Sequence, residues 1–103
     1  MVSLVENKLP VLLEVCAQFR IKRLELFGSA VDPERFDHQA SDLDFLVEFM
    51  PLKAGEHAEA YFGFKETLEK LFDRPVDLVM PKAIRNRYFR QAVNRQRKVL
   101  YAA

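Results

Sequence analysis

Between residues 42 and 49, apolar and polar positions partly alternate, and a period of two splits them into two sets. Leu43, Phe45, Val47 and Phe49 fall on one face and Asp42, Asp44, Leu46 and Glu48 on the other. The first set is wholly apolar, which predicts a strand with its apolar face on a core. Similar runs predict an earlier strand over Arg23 to Phe27 and a later one over Val76 to Met80, with Asp77 opposite Val76 and Leu78. Helical spacing of Leu9, Leu12, Leu13, Cys16 and Phe19 predicts a first helix, capped by Asn7, with Pro10 in its opening turn and its end near Arg20. A second helix is predicted from about Glu59 to Phe72, packing through Phe62, Phe64, Leu68, Leu71 and Phe72, with Gly63 allowing close approach to the sheet. A basic third helix is predicted from Ile84 to about Asn94, with Tyr88, Phe89 and Val93 inward. Val99-Leu100-Tyr101 fits either its last turn or a short strand. Two loops remain: Asp32 to Ser41, with His38 at the surface and Arg35 turned inward to offset three acids, and Met50 to His57.

Composition narrows the class. Residues 1–103 fit one domain with a single modest core; half are apolar and 30% charged, which excludes a disordered chain. No apolar run approaches the roughly 20 residues of a membrane helix. Glu6 and Lys8 stand where a signal peptide would be apolar. A single Cys16 excludes an intramolecular disulfide, and two distant histidines leave no zinc constellation, so a reducing cytoplasm is expected. On the predicted helix, Cys16 reads as a small core residue.

The net charge of +1 hides an asymmetry. Up to Asp77 there are 9 basic and 15 acidic residues, net −6; beyond it there are 7 basic and none acidic, net +7. The C-terminal end therefore suits an anionic partner, whether triphosphate, nucleic acid or acidic protein, or simply balances the acidic remainder as a solvated helix.

Two features carry chemistry. Asp42 and Asp44 lie one pleat apart on the polar face, close enough to ligate one or two hard cations, and Asp77 on a neighbouring strand would complete a carboxylate trio. Gly28-Ser29 follows the first strand: glycine lets backbone N–H groups approach a phosphate, the hydroxyl adds a donor, and a short helical turn after it adds partial positive charge. A phosphate cradle facing a metal cradle is what phosphoryl or nucleotidyl transfer requires.

Leu26-Phe27-Gly28-Ser29, Ser41-Asp42-Leu43-Asp44-Phe45-Leu46-Val47 and Arg74-Pro75-Val76-Asp77-Leu78-Val79, together with the C-terminal segment Ile84 to Ala103, resemble the DNA polymerase β-like nucleotidyltransferase superfamily. The likeness is to its minimal members, which occur beside HEPN proteins in toxin–antitoxin pairs, and it covers nearly the whole chain. The resemblance implies an α+β, palm-like fold, a mixed sheet flanked by helices. It implies that Gly28 and Ser29 hold the β- and γ-phosphates of ATP. Asp42 and Asp44 would then bind two Mg²⁺, with Asp77 completing the catalytic and metal-binding trio beside the acceptor hydroxyl. It further implies AMP transfer to a tyrosine of a HEPN-type toxin, making the chain an antitoxin. The alternative is a weak or inactive copy that neutralises its partner by binding alone. The chain departs from the family pattern in the loop nearest the phosphates: twelve residues separate Ser29 from Asp42, and Val31-Asp32-Pro33 replaces the usual Arg-Gly. Nucleic-acid binding through Arg85, Arg87, Arg90, Arg95, Arg97 and Lys98 with Tyr88 is a further reading, and a homo-oligomer is left open.

Overall fold

The computed structural model describes residues 1–37, 42–95 and 97–103, without the side chains of 92–95. The readings made for His38, Ser41 and Val93 fall outside the described residues. Helices α1 (Ser3–Gln18) and α2 (Glu56–Phe72) cover one face of a four-stranded sheet of order β3-β2-β1-β4, formed by β1 (Ile21–Phe27), β2 (Leu43–Phe49), β3 (Val76–Val79) and β4 (Arg97–Ala102). β1 runs antiparallel to β2 and β4, while β3 runs parallel to β2 after the α2 crossover, so the sheet is mixed. The α+β architecture is the one predicted. Among the described residues no helix is long and apolar enough to cross a membrane.

The alternation along β2 decides the layering. Leu43, Phe45 and Val47 are fully buried beside Leu24 and Leu26 of β1, Val76 and Leu78 of β3, and Phe64 and Leu68 of α2. The opposite face keeps a small apolar cluster of Phe27, Leu46 and Ile84 and otherwise carries charge. β4 resolves the open reading of Val99-Leu100-Tyr101 as strand, because β1 would otherwise leave an unpaired edge.

Several expectations are corrected. α1 starts at Ser3 rather than near Asn7, which puts Pro10 inside the helix; there it lacks an N–H for the preceding turn. β1 begins at Ile21 and α2 at Glu56, so His57 belongs to the helix rather than to the loop. Glu56 accepts the Lys53 N–H at 3.0 Å, and Gly55, at φ 89°, swings the chain into α2. Phe62 is 63% exposed because, two residues from Phe64, it falls on the far side of the helix, and Leu13 is exposed at the edge of the α1 stripe. Gly63 does make a close approach, but to a helix: a Cβ there would stand 3.1 Å from the Phe19 ring at the end of α1. β3 stops at Val79, and a 3₁₀ turn (Pro81–Ala83) leads to α3 (Arg87–Arg95). Asn86 caps α3, accepting the N–H groups of Tyr88 and Phe89 at 2.9 and 3.2 Å; its start is three residues later than predicted. Tyr88 points outward, 68% exposed, and Phe89 is also exposed but touches Phe27 edge-on.

Burial ranks the α2 phenylalanines. Phe64→Ala should lower the unfolding free energy by about 3–5 kcal/mol. Phe62→Ser should change it by less than about 0.5 kcal/mol. Urea denaturation of the two variants measures both.

Candidate active site

The polar face of the sheet is read most simply across the strands. Asp77 of β3 pairs with Asp44 of β2, Asp44 with Phe27 of β1, and Phe27 with Arg97 of β4. One row therefore runs from two acidic side chains through an aromatic ring to a guanidinium. Adjacent strands stand about 4.8 Å apart, so the parallel register sets the Asp44 and Asp77 carboxylates side by side. Asp42 precedes β2 by one residue and is exposed, as is Asp77; Asp44 is half-buried.

Gly28 closes the corner above Asp44. It sits at φ +75°, where a side chain is disfavoured, and a Cβ on it would lie 2.5 Å from Asp44 Oδ2. Residues 28–31 form a single 3₁₀ turn, as short as expected, with Ser29 half-buried and its carbonyl accepting the Asp32 N–H at 3.1 Å. Val2 donates to the Ala30 carbonyl at 3.0 Å, tying the start of α1 to this turn. The corner therefore rests on the core and overlooks the aspartates.

Electrostatics follow from this packing. The Asp44 carboxyl is pushed up from 3.8 to about 6, first by burial and then by the charges of Asp77 and Asp42. Burial likewise pushes the Cys16 thiol up to about 12, which agrees with an inert core cysteine. Among the described residues no three acidic, histidine or cysteine groups close into a metal-holding set. The three aspartates are neighbours rather than a finished cage. That fits Mg²⁺, which prefers one or two carboxylates completed by waters and substrate phosphates over an all-protein cage.

The packing roles of three residues were not read from the sequence. Glu25, 3% exposed, is flanked on the polar face by Arg23 at 3.2 Å and Arg97 at 2.9 Å, an ion-pair cluster that clasps β4 to β1 beside the site. A lone acid inside an apolar strand was its signal. Phe36 is buried, with Arg74 stacked over its ring at 5.1 Å. It is Phe36, and not the exposed Arg35, that turns the residue 32–37 loop inward. Ile84 lies on Phe27 and Leu46, and Arg90 donates to its carbonyl at 2.6 Å, which holds the basic C-terminal segment over this face.

Comparison with known proteins agrees with the geometry. The nucleotidyltransferase domain family matches residues 10–100. A candidate protein adenylyltransferase of Methanocaldococcus jannaschii is 33% identical over 76 residues, 74% of this chain and 73% of that protein. A solved candidate minimal nucleotidyltransferase has a TM-score of 0.69 at 28% identity, covering 90% of this chain and 89% of its own. A chain in the complex of tri-AMPylated Shewanella oneidensis HEPN toxin with MNT antitoxin shares the fold, with a TM-score of 0.63 at 19% identity over 95% of this chain and 72% of that one.

Two outcomes follow. Gly28→Ala should cost about 1–2 kcal/mol of stability from its left-handed backbone, read by denaturant unfolding. The folded chain holds the Asp44 proton more tightly than the unfolded one, so stability should fall as pH rises from 3.8 to about 6 and stay lower above that. Asp44→Asn should therefore melt higher than the parent chain above this window and lose the advantage below it, as thermal unfolding across pH will measure.

Proposed function

The chain belongs to the nucleotidyltransferase domain family, and on that premise we propose that it transfers AMP from ATP to a hydroxyl of a partner protein, releasing pyrophosphate. The acceptor is a tyrosine of a HEPN-type toxin, and the modification makes this chain an antitoxin. The observation that supports this reading is the row in which Asp77 stands beside Asp44 under the Gly28 corner. The fold shared with the complex of a tri-AMPylated toxin supports a protein acceptor.

In this mechanism the Gly28-Ser29 turn receives the β- and γ-phosphates through backbone N–H groups and the Ser29 hydroxyl. Asp42 and Asp44 would hold Mg²⁺, with Asp77 at the edge of the same set. Mg²⁺ bound there would supply positive charge to offset that of the triphosphate. Asp77 accepts the proton of the acceptor hydroxyl. The freed oxygen bonds to the α-phosphorus as the bond to the bridging oxygen breaks, and the pair leaves as pyrophosphate. Phe27, Leu46 and Ile84 form the apolar floor beside Asp44, which limits water there. Choice of acceptor falls to the partner, since among the described residues only the segment around Ile84 and Phe89 lies over this face.

Incubation of the partner with ATP labelled at the α-phosphate tests the proposal. Label should move to a partner tyrosine; Asp77→Asn should slow transfer by about 10²–10⁴-fold, and Asp42→Asn with Asp44→Asn should abolish it. Mg²⁺ should raise the melting temperature of the parent chain and leave that double variant unchanged. Full neutralisation of the toxin by the double variant, with no mark on the partner, would assign the chain to inhibition by binding alone.

A further inference from the structure

Past the Leu46–Val79 pair, β2 and β3 separate. β2 runs on to Phe49, still paired with Ile21 of β1. Pro81 has no N–H to lengthen the ladder, and the chain turns away through Pro81–Ala83. Between the two departing chains and the first turn of α2 lies a cleft of about 620 Å³. Met50, Pro51, Met80 and Pro81 give it apolar walls. Met80 is 41% exposed, a large apolar side chain that the core does not take up. Met80 follows Asp77 by three residues and Glu48 follows Asp44 by four, so the cleft opens roughly 10–13 Å along the strands from the aspartate row. Leu46 and Val79 lie between, packed with Ile84.

The charge on the lining is unbalanced. Lys22 and Lys82 share it with one carboxylate, Glu48, and with His57. Both lysines are exposed, and among the described residues neither has an ion-pair partner, Glu48 included. An anion entering here therefore displaces water and breaks no ion pair of the fold. It meets two cations beside low-dielectric walls, where Coulomb attraction is stronger than in bulk water. The lining holds no hydroxyl or amide side chain that would read a hydrogen-bond pattern, so it selects an apolar body by burying it. Met50 and Met80 adapt to the shape of that body, since their unbranched thioether chains reorient readily.

We infer that this cleft is a second ligand site, and that its ligand is a small carboxylate with an apolar body. Its volume falls in the roughly 300–1,000 Å³ range of small-molecule sites. The fully buried Val47 lines it and the Pro81–Ala83 turn closes the β3 side, which suits a compact molecule rather than an extended chain. The site does not depend on AMP transfer: loss of either activity leaves the other to be measured.

The test is a residue-resolved NMR titration of the isotope-labelled full chain with 2-naphthoate. The amides of residues 22, 48–50, 80, 82 and 83 should shift along one saturation curve. Neutral 2-naphthamide should bind roughly fivefold more weakly. Lys22→Gln with Lys82→Gln should weaken naphthoate to the level of the amide and leave the affinity for the amide unchanged. Both lysines are exposed, so the spectrum away from the cleft should stay that of the parent fold. Met80→Ser should weaken both probes alike, and Mg²⁺ with ATP should leave naphthoate bound. No shifts at millimolar probe, shifts centred elsewhere, equal affinity for the amide, or displacement of naphthoate by ATP would overturn the inference.

Discussion

The parallel pairing of β2 with β3 is the constraint on which the polar face depends. Its register forces Asp44 and Asp77 into one row, and two like charges about 5 Å apart at an effective dielectric of 20 repel by about 3 kcal/mol. On the other face the same register aligns Leu43 with Val76 and Phe45 with Leu78, all buried. Burying each such side chain is worth about 1.5–3 kcal/mol, so the core outweighs the repulsion. A slip of one residue would relieve the carboxylates only by turning those apolar side chains to water. The acidic row is thus imposed by the apolar face beneath it, and the tension is stored at Asp44, the least exposed of the three.

The basic C-terminal segment is partly spent inside the fold. Arg97 reaches across to Glu25, Arg90 holds the Ile84 carbonyl, and Ile84 with Phe89 presses on Phe27. These contacts lay a cationic rim along the sheet face that carries the aspartates. Arg85 and Arg87 in the same segment are exposed, whereas Lys98 pairs with the buried Leu26 and so lies on the helix-covered side of the sheet. The charge asymmetry along the chain therefore becomes a spatial one, with carboxylates and guanidinium groups at opposite ends of a single cross-strand row.

β2 serves two ends of the molecule. Its N-terminal half is paired on both sides, with β1 and with β3, which fixes Asp44 between Phe27 and Asp77. Its C-terminal half keeps only β1 as a full neighbour, because Pro81 withholds one hydrogen bond.

Period-two patterning was enough to assign β2, its buried face and the side from which Asp42 and Asp44 project, because alternation is a property of the strand itself. Gly28-Ser29 was singled out in the sequence for the backbone access that glycine gives, and the left-handed φ of +75° at Gly28 came only with the structure. What neighbours decide was not legible: the exposure of Phe62 and Tyr88, the contact of Gly63 with Phe19, the inward turn of Phe36 under Arg74, and the burial of Glu25 between two arginines. Each depends on which surface arrives from a distant part of the chain, and local sequence carries no record of that. The choice between helix and strand at Val99 to Tyr101 was of the same kind, settled by the unpaired edge of β1 rather than by the residues themselves.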